Sequence, residues 1–174
     1  SELFFEYIRR IGHVLDQVGE PGQPITAVHL GGGALTLPRY IEATRPGSRQ
    51  QVIELEQDLI DFVREHLPLQ RGANIRIRYG DAREVMGKLP TGLHGNVDVV
   101  IAAELMEAGR SILRGLVTPD RTVLITSTHR AYAVAEKEKP GESIADPQAV
   151  NAASGIAARR VIAFDMDADE LADA

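Results

Sequence analysis

Three glycines and two acidic residues are spaced along the chain in a pattern that can bind a nucleoside. Gly31, Gly32 and Gly33 follow a short apolar run and precede a predicted helix. Glycine tolerates positive φ and has no Cβ, so a ligand can approach the backbone closely, and a helix that begins behind such a turn presents free N–H groups. Thr36 stands where the full G-x-G-x-x-G pattern has its last glycine. The run is therefore also compatible with a tight turn that binds no ligand.

The two acidic residues, Glu54 and Asp81, lie at the ends of two predicted strands. Glu54 comes about 20 residues after the glycines, the separation expected of a carboxylate that accepts hydrogen bonds from ribose hydroxyls. Asp81 can accept from the exocyclic amine of adenine. The alternatives are a solvated strand end for Glu54 and a helix N-cap for Asp81. Together with the glycines, the two acids predict an adenosine pocket.

Other constellations predict neither a catalytic nor a metal site. The sequence contains no Cys, and its five His residues show no H-E-x-x-H spacing. Packing is the favoured role for His29. Asp165, Asp167 and Asp169 imitate the start of a calcium loop, but Glu170 stands where that loop needs glycine. His129 follows the fifth predicted strand and can act as a general base, although no nucleophile accompanies it.

Composition limits the class of protein. The chain has 174 residues, of which 44% are hydrophobic, a value that predicts one globular domain. Its net charge of −6 argues against a nucleic-acid partner, which requires a basic face. Its apolar runs are too short to span a membrane. These features predict a cytoplasmic protein with neither a nucleic-acid nor a membrane partner.

The elements that must position the glycines and acids alternate between helix and strand. A helix with its start near Pro38, capped by Thr36 or Leu37, follows the glycine run. The predicted strands are 25–30, 51–55, 75–79, 97–102, 122–126 and 161–164. The other predicted helices are 2–18, 58–67 (buried through Leu59, Ile60, Val63 and Leu67), 82–89, 104–116, 131–138 and 148–158, with a loop at 139–147. This alternation predicts a Rossmann-like α/β fold, a doubly wound three-layer sandwich with a mainly parallel sheet of about six strands in the order 3-2-1-4-5-6.

The first half of the chain resembles the spermidine-synthase-like branch of the S-adenosylmethionine-dependent methyltransferases. The resemblance is carried by residues 29–40, 52–55, 63–68 and 80–83. It implies that Gly31 to Gly33 face the methionine part of the cofactor, Glu54 the ribose, and Asp81 with Ala82 the adenine. The implied cofactor is S-adenosylmethionine or decarboxylated S-adenosylmethionine. The acid that this family carries after its fourth strand is absent, and Glu104 lies nearby in its place.

The second half resembles the gamma-type domain of indolepyruvate ferredoxin oxidoreductase, in its beta subunit. The resemblance is carried by residues 98–110, 115–122, 127–137 and 157–160. In that family these residues help to build a subunit interface in a thiamine-diphosphate enzyme. Two families meeting within 88–96 predict a recombined, engineered chimera. Its single domain, 1–174, would consist of a methyltransferase-like half (1–92), an oxidoreductase-like half (93–168) and an acidic tail (169–174).

Three functions follow from this interpretation. The first is a nucleoside-binding module without a complete catalytic site. The second is an aminopropyl- or methyltransferase that recruits Glu104 or His129. The third is an interaction domain, in which apolar surfaces of the second half drive formation of a homo-oligomer.

Overall fold

Six parallel strands form one sheet in the computed structural model, which describes residues 5–128 and 147–164. The strands are β1 (Thr26–Leu30), β2 (Arg49–Glu54), β3 (Ile75–Tyr79), β4 (Val99–Ala102), β5 (Val123–Ser127) and β6 (Arg160–Phe164). Their order is β3-β2-β1-β4-β5-β6, as the alternation of elements predicts. Because the order reverses between β1 and β4, a crevice opens at the carboxyl ends of these two strands.

Within the part of the chain that the structure describes, six helices cover the two faces of the sheet. They are α1 (Glu6–Asp16), α2 (Thr36–Thr44), α3 (Gln57–His66), α4 (Ala82–Val85), α5 (Leu105–Leu113) and α6 (Pro147–Ala157), with 3-10 turns at Met86–Lys88 and Thr91–Leu93. Helices α1, α2 and α3 lie on one face, and α4, α5 and α6 on the other. The predicted α/β sandwich is confirmed. The predicted helix at 131–138, the loop before Pro147, His129 and the acidic tail lie outside the described residues.

Alternation along the strands divides the core between the two faces. In β1, Val28 and Leu30 pack toward α5 with Val100 and Leu124. Ala27 packs on the opposite face, in a cluster with buried residues of α1 and α2. Both clusters combine residues from the two halves of the chain. The first includes Leu30 and Ile53 with Val100, Ala102 and Leu124. The second includes Ala27 and Ile41 with Val99, Ile101 and Ile125.

A buried arginine fixes α1 against the rest of its face. Arg45, 1% exposed, follows α2 and donates to the carbonyl oxygens of Leu15, Asp16, Glu20 and Gln23 at distances of 2.9–3.1 Å. These carbonyls belong to the end of α1 and the turn behind it, where a helix has unpaired acceptors and the negative end of its dipole. The guanidinium therefore fixes the C-terminal end of α1 to the turn that follows α2.

Two predictions about the helices are wrong. Ile60 and Val63 are the buried residues of α3, whereas Leu59 is 41% exposed and Leu67, beyond the helix end, is 59% exposed. The buried face of α3 is narrow because this helix packs on an edge of the sheet. The N-cap residue of α2 is Leu35. The predicted caps, Thr36 and Leu37, lie inside the helix. Leu35 has φ 60°, since its N–H closes a turn onto the carbonyl of Gly32 at 2.9 Å.

Candidate functional site

A cleft of about 990 Å³ lies over the carboxyl ends of β1, β2, β3 and β4. Its floor is formed by Gly31, Gly32 and Gly33 together with the loops that follow β2, β3 and β4. Helix α1 and the start of α2 form one wall, and the first turns of α5 contribute to the other. All six predicted cofactor-binding residues, Gly31, Gly32, Gly33, Glu54, Asp81 and Ala82, line this cleft.

The glycine loop needs its glycines for two different reasons. Gly31 and Gly33 have φ of 98° and 47°, which side chains rarely adopt. At Gly32 the reason is space, since a Cβ there would lie 2.6 Å from Cγ1 of Val52. A Cβ on Gly33 would meet no atom within 4 Å, so this part of the loop borders open space. The loop thus leaves its backbone accessible from the cleft.

The carboxylate of Glu54 binds the glycine loop directly. Its Oε2 accepts from the N–H groups of Gly32 at 2.7 Å and Gly33 at 2.9 Å, and its Oε1 accepts from the N–H of Glu56 at 3.0 Å. Burial alone would raise the pKa of Glu54, but the backbone N–H groups of Glu56, Gly32 and Gly33 outweigh it and hold the pKa below its ordinary value. The Glu54 carboxylate therefore places a negative charge next to the amides of the glycine loop before any ligand binds.

Asp81 caps α4 and borders the cleft at the same time. Its Oδ1 accepts from the N–H of Arg83 at 2.8 Å, the capping role that the sequence left open for it. The preceding residue, Gly80, donates its N–H to the carbonyl of Glu54 at 3.0 Å. This bond ties the end of β3 to the end of β2, and the Asp81 side chain stays exposed beside Ala82.

A buried ion pair on α5 completes this side of the cleft, and no motif in the sequence identified it. Glu107 binds Arg110 one turn later, with both side chains mostly buried. Burial raises the pKa of Glu107, and the negative charges of Asp81 and Glu104 raise it further. The positive charge of Arg110 acts in the opposite direction. The only available sequence signal was the i, i+3 spacing of Glu107 and Arg110 on a helix that begins at the cleft.

His29 is buried beneath the other side of the cleft, as packing predicts. Its Nε2 lies 2.9 Å from Oε1 of Gln50, and the Gln50 amide nitrogen donates to the carbonyl of Pro38 at 2.9 Å. This second bond orients the amide, so that Nε2 of His29 is the donor in the first. Burial lowers the pKa of His29 to about 4, with the bond to Gln50 opposing the shift.

Comparison with solved structures supports a methyltransferase-like fold. A probable spermidine synthase from Corynebacterium glutamicum is 28% identical, with a TM-score of 0.53 over 68% of this chain and 46% of that one. A precorrin-6y C5,15-methyltransferase from Geobacter metallireducens is 17% identical, with a TM-score of 0.50 over 66% of this chain and 58% of that one. The chain thus spans about half the length of these structures. No protein-family model and no curated protein matches it.

These similarities confirm the predicted likeness to the spermidine synthase and methyltransferase fold. They give no support to the likeness of the second half to an oxidoreductase subunit or to a junction within 88–96, and both stay predictions.

Residues 5–128 and 147–164 contain no group of three His, Asp or Glu side chains arranged to hold a metal ion. No helix in these ranges has the length and apolar character needed to cross a membrane.

Proposed function

We propose that the cleft binds an S-adenosylmethionine-type nucleoside. The observation that carries the proposal is the convergence of the glycine loop, Glu54 and Asp81 at the ends of three neighbouring strands in one cleft. The glycine loop admits a ligand close to its backbone, and the two carboxylates are suited to ribose hydroxyls and an exocyclic amine. The 28% identity to a probable spermidine synthase supports the same class of ligand.

Of the two implied cofactors, we propose the decarboxylated form. Glu54 already occupies the N–H groups of Gly32 and Gly33, which would otherwise serve a ligand carboxylate. A second carboxylate at the loop would face the Glu54 charge at close range and be repelled. A ligand that carries only an ammonium group at this end avoids the repulsion.

Calorimetric titration with methylthioadenosine, S-adenosylmethionine and decarboxylated S-adenosylmethionine tests both statements. We expect micromolar binding of methylthioadenosine and at least tenfold tighter binding of the decarboxylated cofactor than of S-adenosylmethionine. Glu54→Gln and Asp81→Asn should each weaken binding about tenfold, which corresponds to about 1.4 kcal/mol. Glu65→Gln, on the exposed side of α3, is the matched control and should bind as the wild type does. A cooperatively folded wild type that binds none of the three ligands would contradict the proposal.

A second candidate function is group transfer from this nucleoside to an amine. It is favoured by Glu104, which lies in the cleft directly after β4, where the resemblance has its catalytic acid. Incubation with decarboxylated S-adenosylmethionine and putrescine, followed by mass spectrometry, should then yield methylthioadenosine, and Glu104→Gln should reduce the yield. Binding without any product, even at high protein concentration, would leave the binding module of the first proposal.

A further inference from the structure

The cleft is larger than its proposed nucleoside site requires. Its volume of about 990 Å³ lies at the upper end of the ~300–1,000 Å³ typical of ligand pockets. The residues proposed to contact the nucleoside come from the loops after β1, β2 and β3. The opposite wall, contributed by α1, α2 and β4, is left for a second ligand beside the nucleoside.

This opposite wall is apolar and partly aromatic. We call it the α1-side wall, and it consists of Phe5, Tyr7, Ile8, Ile11, Leu37 and Ile101. The rings of Phe5 and Tyr7 stack with their centroids 6.0 Å apart. Tyr7 and Leu37 pack on the same buried cluster that contains Ile11 and Ile101, so the wall is continuous with the core. Because Ile8, Ile11 and Ile101 are only 1–8% exposed, the area left to cover belongs mainly to Phe5, Tyr7 and Leu37. Covering this area gains free energy, and the two rings are flat partners for an aromatic ring.

The charges of the cleft lie on other elements. Among the described residues, every cleft residue from α1 and α2 is uncharged. The acidic residues of the cleft follow β2, β3 and β4: Glu54, Glu56, Asp81, Glu104 and Glu107. Two arginines accompany them, Arg83 beside Asp81 and Arg110 paired with Glu107.

The polar group beneath the α1-side wall is also uncharged at neutral pH. His29 lines the cleft from β1, and its Nε2–H is engaged by Gln50. Because the pKa of His29 is lowered to about 4, the ring provides dipoles but no charge to a ligand. Among the residues that the structure describes, α1 and α2 place no carboxylate in the cleft, so an ammonium group against this wall would lose water without gaining a charged partner there, a costly exchange.

We propose that the α1-side wall binds an uncharged aromatic molecule as the second ligand of the cleft. The inference rests on the proposed nucleoside site, because it assigns the space next to that ligand. It excludes the amine acceptor that the resemblance to spermidine synthases implies and that the second candidate function uses, so these two are alternatives and binding of putrescine decides between them. The proposal requires an uncharged ligand, so two probes that share a ring system but differ in charge can test it.

The probes are 1-naphthol and 1-naphthylmethylamine, which share one ring system but are neutral and cationic, respectively, at pH 7.5. Each is titrated calorimetrically into the full chain with and without saturating methylthioadenosine, and putrescine is titrated as a third ligand. We expect 1-naphthol to bind at one site at least tenfold more tightly than 1-naphthylmethylamine, with no measurable binding of putrescine.

Substitution of one wall residue should reverse the preference. Leu37→Asp introduces a carboxylate into the wall and should lower the naphthol-to-amine affinity ratio at least tenfold. Leu113→Asp is the matched control, because Leu113 is 87% exposed and lies outside the cleft, and should leave the ratio unchanged. If Leu37→Asp does not fold, Phe5→Asp replaces it, since Phe5 is 58% exposed and occupies an N-cap position that favours Asp.

Each other outcome has a definite meaning. Binding of the amine or of putrescine as tightly as 1-naphthol overturns the proposal. So does binding of methylthioadenosine with no binding of 1-naphthol, and in that case the nucleoside site stands. Binding of 1-naphthol that depends on Leu37, with no binding of methylthioadenosine, supports the wall and refutes the nucleoside site.

Discussion

At the scale of single residues, the Glu54 carboxylate links stability to the proposed binding function. It holds two amides of the glycine loop, so the loop keeps its shape when no ligand is bound. A carboxylate stabilised in this way has a lowered pKa in the folded protein. Its stabilisation is therefore complete above the unfolded-state pKa of about 4.3 and is lost as the pH falls through the folded-state pKa.

Glu54→Gln should lower the free energy of unfolding by about 1–2 kcal/mol at pH 7, because a charged acceptor of three N–H groups is replaced by a neutral one. The difference from wild type should shrink as the pH falls below about 4.3. Urea denaturation at pH 7 and pH 3 measures it, with Glu65→Gln as control. A difference that stays constant between these pH values would contradict the assigned role of the Glu54 charge.

His29 should control stability in a higher pH range. Its folded-state pKa of about 4 lies below the unfolded value, so the unfolded chain binds a proton first and stability falls as the pH falls through 6.5. We expect a loss of about 2 kcal/mol between pH 7 and pH 5. His29→Gln keeps a donor for Gln50 but does not titrate, and should remove most of this loss. Equal slopes for the two proteins in urea denaturation would show that another group is responsible.

The sequence predicted which residues meet, but not how they are bonded. Glu54 and Asp81 could be brought to one edge because parallel strands align their carboxyl ends. The bonds from Gly32 and Gly33 to Glu54 depend on the side-chain rotamer and the turn geometry, which no spacing rule specifies. Glu107 was missed for a similar reason, since its raised pKa comes from burial and from the nearby charges of Asp81 and Glu104, which depend on the folded arrangement.

At the scale of elements, the junction between the glycine loop and α2 depends on one strained residue. Leu35 is fully buried with Val52, Ile60 and Val63, yet has the left-handed φ of 60°. The hydrophobic contact of its side chain offsets a conformational cost of about 1–2 kcal/mol. The position of Pro38 predicts a cap one or two residues later, at Thr36 or Leu37, because sequence patterns cannot detect a buried leucine that closes a turn.

Leu35→Ala and Leu35→Gly separate burial from strain. Both should destabilise the protein by about 2–5 kcal/mol through loss of the buried side chain. Glycine adopts positive φ without cost, so Leu35→Gly should be more stable than Leu35→Ala by about 1 kcal/mol. Thermal and urea unfolding of the pair test this order. Greater stability of the alanine variant would mean that the left-handed conformation carries no strain.

At the scale of the whole molecule, the two predicted halves share one sheet and one core. Strands β1 and β4 pair in register from Ala27 opposite Val99 to Leu30 opposite Ala102. The Asp98 carboxylate, beyond the predicted junction, accepts from the N–H of Thr26 at 2.8 Å. Among the described residues, most large exposed apolar side chains lie in the first half, with Leu113 and Ile156 in the second. The expectation that an apolar surface of the second half drives self-association stays a prediction.

Because the halves share their core, we expect them to unfold together. Leu124 on β5 is fully buried in a cluster with Leu30 and Ile53 from the first half. Leu124→Ala should remove about 2–5 kcal/mol from the free energy of unfolding. Hydrogen exchange measured by mass spectrometry at increasing urea concentration should detect the same loss for amides of β2 and of β5. Leu113→Ala, at an exposed site, is the control and should change the free energy of unfolding measured at the amides of β2 and of β5 by less than about 0.5 kcal/mol. If the amides of β5 lose protection while those of β2 remain as in wild type, the halves are separate folding units and the predicted single domain is wrong.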